Sequence, residues 1–135
     1  MSSSMVNPYT AAAESGQCVV VPGPREAFLD IDNDADHAWM LAGVKILSER
    51  SPIVVTRNAP SKRGLPHRHV TLAFDHDIGP IERIALQAAL GSDRKREVLS
   101  ILRVWSNASS AIPATVFFEP LSAAAGLPSP DDTKF

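Results

Sequence analysis

Residues 27–32, with the sequence Ala-Phe-Leu-Asp-Ile-Asp, decide the fold of this chain because their side chains alternate as a half-buried β-strand requires. Leu29 and Ile31 are the purely apolar members of the alternation, so we expect them to face the core. Asp30 and Asp32 then share the opposite face, with Cα atoms roughly 6–7 Å apart. Two carboxylates this close repel each other as anions, so they either share a proton or bind a cation. Hard oxygen ligands favour Mg²⁺ or Mn²⁺.

Residues 67–74 are predicted to form a second strand with strict alternation. Val70, Leu72 and Phe74 share the face expected to be buried, and His67 and His69 share the other. Antiparallel pairing of this strand with residues 27–32 sets the start of one beside the end of the other. We therefore expect the two histidines and the two aspartates to meet at one corner of the sheet.

The remaining elements follow from local signals. Helices are predicted from Asn33-Asp34 to Arg50, from Pro80 to a C-cap at Gly91, and after a cap at Ser92 or Asp93, with further strands at 53–56 and 115–119. The order β-α-β-β-α(α)-β is typical of an α+β, ferredoxin-like or RRM-like split βαβ sandwich. It predicts an antiparallel sheet with helices on one face and the other face open. Residues 25–120 would form this domain, between a flexible arm (1–24), with at most an edge strand at residues 18–21, and a loose tail (121–135).

Apolar side chains at helical spacing predict which side of each helix is buried. Met40, Val44, Leu47 and Leu41 mark the first helix, and Ile81, Ile84, Ala85 and Ala88 the second. In the third helix Val98, Ile101, Leu102 and Trp105 fall at i, i+3, i+4 and i+7, which predicts a face against the core.

The composition limits the class of protein. The chain has 135 residues, of which 44% are apolar and 21% charged, typical of one folded domain. No apolar run approaches the roughly 20 residues needed to span a bilayer, and no signal peptide is evident. Cys18 is the only cysteine, which excludes an intrachain disulfide. We therefore expect a cytoplasmic protein that does not enter a membrane.

Basic residues surround the predicted corner. One group lies in the loop from Arg57 to Arg68, which should arch over the two aspartates, and another follows Asp93. Clustered Arg and Lys side chains bind phosphate backbones in a salt-sensitive manner. The residues predicted to bind nucleic acid are Arg57, Arg68, Arg94, Arg96 and Arg103.

The two motifs together resemble the archaeo-eukaryotic primase superfamily. Its catalytic core is an RRM-like sheet with an Asp-x-Asp strand, a Ser-x-x-Gly loop leading into a His-bearing strand, and a later lone carboxylate. Here the matching segments are Phe28-Leu-Asp-Ile-Asp32 and Ser61-Lys-Arg-Gly64, which leads into His69-Val-Thr-Leu72. The resemblance covers roughly residues 26–119. For the later carboxylate Asp93 is the first choice, and Asp75 fits less well.

This resemblance implies metal-dependent nucleotidyl transfer in DNA replication. Asp30 and Asp32, with Asp93, would bind the Mg²⁺ or Mn²⁺ ions, and Asp30, Asp32 and His69 would be catalytic. The residues implied in binding the nucleotide are Ser61, Lys62, Arg63, Gly64, His67 and His69. Because the chain is short for a complete primase, the resemblance also implies a replication partner protein beside the nucleotide or nucleic acid.

Three other interpretations remain open. A relay nuclease would bind metal through His67 and His69, but the residue between them is Arg68 and the only tyrosine is Tyr9. An RRM-like module would bind single-stranded nucleic acid by stacking bases on aromatic residues of the open face, for which Phe28 and Phe117 are the candidates. A protein-interaction scaffold would use an exposed strand edge and the proline-rich termini.

Overall fold

The computed structural model describes residues 7–106 and 113–120, which form an α+β structure with four helices and two antiparallel sheets. The predicted tail at 121–135 lies outside these residues. Within them, no helix is long and apolar enough to cross a membrane. The elements are α1 (Pro8–Ser15), β1 (Gln17–Val20), β2 (Glu26–Ile31), α2 (Asp34–Ser48), β3 (Ile53–Pro60), β4 (Arg68–Phe74), α3 (Pro80–Ala89), α4 (Arg94–Ser106) and β5 (Phe117–Pro120).

The larger sheet has the strand order β2-β4-β3, with both pairs antiparallel. The predicted central pairing of residues 27–32 with 67–74 is confirmed, because Leu29 pairs with Val70 and Asp30 with His69. β3 continues four residues beyond the predicted strand at 53–56, as far as Pro60. The apolar faces of β2 and β4 form the core together with α2, through the buried Met40.

The smaller sheet consists of β1 and β5, and it changes the environment of the predicted open face. Residues 8–20, within the stretch expected to be a flexible arm, form α1 and β1. β5 pairs antiparallel with β1, so that Cys18 lies opposite Glu119. The ring of Phe117 in β5 stacks on Phe28 in β2, with centroids 4.4 Å apart. The expectation that the face opposite the helices is open is therefore wrong at Phe28.

The edge of β2 that faces away from β4 forms hydrogen bonds with α3, α4 and the turn between them. A strand edge presents unpaired N–H and C=O groups that need partners. The Gln87 side chain accepts from the amide of Phe28, and the Ser92 hydroxyl accepts from the amide of Asp30. Arg83 donates to the carbonyl of Glu26, and Arg96 donates to the carbonyl of Phe28. The amide of Asp93 donates to the carbonyl of Asp30. These contacts occupy the edge at which a further strand would pair.

The prediction of an apolar buried face on α4 is wrong. Val98 is 55% exposed and Trp105 is 78% exposed, whereas Glu97, Ser100 and Arg103 are buried. In α3 the prediction is right for Ile84, which is buried, and wrong for Ile81, Ala85 and Ala88, which are exposed, while the polar Gln87 is fully buried. In α2 only Met40 and Val44 of the predicted stripe are buried. The physical reason is that the edge of β2 needs polar partners, and the polar sides of α3 and α4 supply them.

Candidate functional site

The structure brings the two aspartates and the two histidines to one corner of the larger sheet. Asp30 and His69 are paired residues of β2 and β4. Just beyond β2, the Asp32 Oδ1 lies 3.3 Å from the His67 Nδ1. The corner therefore holds two carboxylates and two imidazoles on one face, as the alternation of the two strands predicts.

The loop at 61–67 is held in a defined shape beside this corner. The amide of Ser61 donates to the carbonyl of His67, and the amide of His67 donates to the carbonyl of Gly64. Gly64 has a φ of 78°, in the left-handed region that favours glycine. The amide of Arg63 donates to the Ser61 hydroxyl. These contacts fix where Ser61 and Arg63 lie relative to β4.

A cleft of about 210 Å³ joins the loop, the sheet and α4, and we name it the Asp30 cleft. Its lining residues include Asp30 and His69 from the sheet together with Ser61, Lys62 and Arg63 from the loop. Arg96 and Arg103 of α4 also line it, and of these four cationic residues Arg96 is ion-paired with Glu97. Residues from three separate parts of the sequence therefore form one concave site with an excess of positive charge.

The fold shifts the pKa of the Asp30 carboxylate upward. Burial raises its pKa above the ordinary 3.8, and the charges of Asp32 and Asp93 raise it further, against the lowering effects of Arg96 and His69. Among the described residues, no group donates a hydrogen bond to its side chain. A carboxylate that is desolvated in this way is either stabilised as an anion by a cation or neutralised by a proton.

His69 is fixed by two residues of β5, Phe117 and Glu119, whose contacts with it the sequence did not indicate. Its Nδ1 lies 3.1 Å from the Glu119 Oε2, and its ring stacks on Phe117 with centroids 4.0 Å apart. Arg57 also donates to Glu119. The alternation Phe117-x-Glu119 puts both side chains on one face of the predicted last strand, but nothing local to it indicates that this face meets His69.

The Glu119 carboxylate has a lowered pKa, first because of the hydrogen bond with His69 and then because of Arg57. A lowered pKa stabilises the folded state above the ordinary value of 4.5, and this stabilisation is lost as the pH falls through the folded pKa. We expect Glu119→Gln to lower the free energy of unfolding at pH 7 by about 1–2 kcal/mol. Urea denaturation should show this difference shrinking below pH 4.5. Glu49→Gln, at an exposed position, should change neither the free energy of unfolding at pH 7 nor its dependence on pH. An equal loss of stability in both variants would contradict a stabilising contact between Glu119 and His69.

The predicted basic residues do not form one surface. Arg96 and Arg103 line the Asp30 cleft, whereas Arg57 is bound to Glu119 and Arg94 lies in a separate groove. Arg68 lies between His67 and His69, and successive side chains of a strand point to opposite faces of the sheet. Arg68 therefore points to the face opposite the two histidines.

Asp93, the predicted third metal ligand, lies close to Asp30 through its backbone. Its amide donates to the carbonyl of Asp30, and its side chain lines a groove of about 490 Å³ that also includes Asp32. In residues 7–106 and 113–120, no three His, Cys, Asp or Glu side chains are grouped so as to hold a metal ion. Any metal bound by Asp30 and Asp32 would therefore take its remaining ligands from water or from a bound substrate.

Comparisons with protein-family models, with curated proteins and with solved structures find no match to this chain.

Proposed function

We propose that the Asp30 cleft binds the phosphates of a nucleoside triphosphate and that the domain is a small primase-like nucleotidyltransferase. The observation that supports this most is the convergence of Asp30, His69 and the Ser61–Arg63 loop on one cleft. The same residues were assigned to metal and phosphate binding from two separate sequence motifs. Their common position does not follow from either motif alone.

The sheet order supports an RRM-like classification within this proposal. In a ferredoxin-like sheet the first and third strands are central and the second lies at an edge. The order β2-β4-β3 is that arrangement without its fourth strand, which here is β5 paired with β1. The hydrogen bonds of Gln87 and Ser92 to the edge of β2 account for the displaced strand.

The donor set fits a divalent metal ion. Asp30 is an unpaired and partly buried carboxylate, and Asp32 lies two residues along the same face. Mg²⁺ is commonly held by one or two carboxylates together with substrate phosphates, so these two residues suffice. When bound, the metal would activate the attacking hydroxyl and neutralise the leaving pyrophosphate.

The protein's own residues would bind and orient the nucleotide. Lys62 and Arg63 are exposed beside the cleft, where they would attract the phosphate tail. His69 has its Nδ1 engaged by Glu119 and its ring held by Phe117, so Nε2 is the nitrogen that remains for a phosphate oxygen. Phe117 and Glu119 are positioning residues in this proposal.

Loss of the two loop cations should weaken nucleotide binding. We expect Lys62→Ala combined with Arg63→Ala to raise the Kd for a nucleoside triphosphate about tenfold or more, as measured by calorimetric titration with Mn²⁺ present. The matched control is Lys45→Ala with Arg50→Ala, which removes the same charge from exposed positions of α2 and the turn after it. Equal weakening in the two double variants, or no nucleotide binding by the wild type, would contradict the proposal.

The alternative of a base-stacking RRM module is less well supported. Phe28 and Phe117, the aromatic residues suggested for stacking, are 4% and 3% exposed and stack on each other. The protein-interaction alternative is favoured by one observation, the outward apolar side of α4 with Val98 and Trp105. A partner surface on this outward side of α4 is compatible with a catalytic cleft lined by the buried Arg103 of the same helix.

A further inference from the structure

Two residues that line the Asp30 cleft each carry a buried hydrogen-bond donor without a partner among the described residues. The two donors are the Nε of Arg103 in α4 and the Nε2 of Gln17 in β1. Buried donors are nearly always paired in folded proteins, so each exception needs an explanation. Among the described residues the only other such atom is the Nε of Arg68, which does not line this cleft.

Arg103 is a buried cation with few protein partners. Arg103 is only 4% exposed, and its Nη1 donates a hydrogen bond to the carbonyl of Ala114. Within the described residues no carboxylate lies within 4.0 Å of its guanidinium nitrogens. Burial and the nearby charge of Arg96 lower its pKa, against the opposing effect of the Glu97 carboxylate. An anion beside Arg103 would offset this cost.

Gln17 is half-buried, and its Oε1 lies 2.9 Å from the Ser15 hydroxyl, which is also within hydrogen-bond distance of the carbonyls of Ala11 and Ala12. The Nε2 end is buried and has no acceptor. Two donors from different elements therefore lack acceptors along one cleft.

The lining of the cleft includes exposed and buried residues, and we call the exposed side its mouth and the buried side its floor. Lys62 and Arg63 are exposed, whereas Arg103 and Phe117 are buried. The volume of about 210 Å³ is small, which favours a compact group such as a terminal phosphate. The charge along the cleft is positive from mouth to floor, apart from Asp30.

We propose that the floor of the Asp30 cleft is a subsite for a terminal phosphate group, held by the Arg103 guanidinium and the Gln17 amide. The assignment of this phosphate to a nucleotide rests on the proposed function, and it orients the nucleotide with its terminal phosphate inward and its nucleoside at the mouth. The subsite itself needs neither a nucleoside nor a metal ion, so inorganic pyrophosphate tests it separately.

The experiment is calorimetric titration of inorganic pyrophosphate in buffer containing EDTA. We expect the wild type to bind pyrophosphate, and Gln17→Glu to weaken binding at least tenfold, because it replaces the donor with an anionic acceptor of the same shape. Asn7→Asp makes the same amide-to-acid change at the cap of α1, where Asp also serves as a cap, and should leave binding unchanged. No binding by the wild type, or equal binding by wild type and Gln17→Glu, would overturn the subsite.

A second variant separates binding from folding. Gln17→Met removes the unpaired donor without adding a charge, so we expect weaker pyrophosphate binding with an unchanged or higher melting temperature. Weaker binding with a clearly lower melting temperature would indicate a structural role for Gln17 and count against the subsite.

The outcome also distinguishes the subsite from the proposed function. Competition between pyrophosphate and a nucleoside triphosphate, lost together in Gln17→Glu, would support both. Pyrophosphate binding without any nucleotide binding would support the subsite alone. Nucleotide binding that survives Gln17→Glu and is not displaced by pyrophosphate would overturn the subsite and leave the proposed function in place.

Discussion

Asp30→Asn is expected to reduce the proposed nucleotidyl transfer about a thousandfold while raising the free energy of unfolding at pH 7. The activity falls because an amide is a much poorer ligand for Mg²⁺ than a carboxylate, and metal stabilisation of the transition state amounts to several kcal/mol. The stability rises because the wild type holds a carboxylate that is desolvated and accepts no hydrogen bond from the described residues. Activity and stability should therefore change in opposite directions.

The pH dependence follows from the raised pKa of Asp30. The folded protein retains this proton at pH values where the unfolded chain has lost it, so stability falls as the pH rises from about 3.8 through the folded pKa. Asparagine has no proton to lose and avoids this loss. The variant should be more stable than the wild type at pH 7, and the difference should close near pH 3.5. Urea denaturation with EDTA present measures both values.

The exposed Asp77 provides the control for this variant. Asp77→Asn removes a carboxylate whose side chain is 71% exposed and pairs with Arg25 at the surface, so both activity and stability should stay near wild type. Transfer of nucleotides, measured by pyrophosphate release, should require Asp30 and not Asp77. A clear loss of stability in Asp30→Asn would mean that the carboxylate is a structural group and would remove the basis of the metal site.

Glu97→Ala is expected to lower the free energy of unfolding by about 3–5 kcal/mol, as for other broken buried charge networks. Glu97 is 3% exposed and accepts hydrogen bonds from Gln87, Ser92 and Arg96, at 2.7 to 2.9 Å. Its removal leaves the Arg96 guanidinium without its carboxylate. It also frees the side chains of Gln87 and Ser92, which bond the edge of β2.

Two measurements check this expectation. Urea denaturation gives the loss in stability, and hydrogen exchange should show faster exchange at the amides of Phe28 and Asp30, whose acceptors are Gln87 and Ser92. Glu82→Ala removes an exposed glutamate from α3 and should cost less than about 0.5 kcal/mol. A similarly small loss in Glu97→Ala would show that the network does not hold α3 and α4 against β2.

The sequence alone was sufficient for the centre of the larger sheet. Alternation within residues 27–32 and 67–74 predicted which side chains face the core, and the structure confirms Leu29 opposite Val70 and Asp30 opposite His69. Both strands have one apolar and one polar face, so a shift by one residue would bury the charged side chains. Local pattern and long-range pairing therefore agree in this region.

The tertiary structure decided what covers that sheet. Phe117 and Glu119 contact His69 because β5 pairs with β1. These two strands are about one hundred residues apart in the sequence, so no local pattern predicts their pairing. The buried side of α4 was predicted incorrectly for a related reason. Periodicity assumes that the apolar side of a helix faces inward, whereas Glu97 and Arg103 face inward here. Alternation and helical periodicity each describe one segment of the chain. At the edge of β2, a strand and the polar side chains of α3 and α4 compete for the same backbone groups, and the outcome depends on segments that are distant in the sequence.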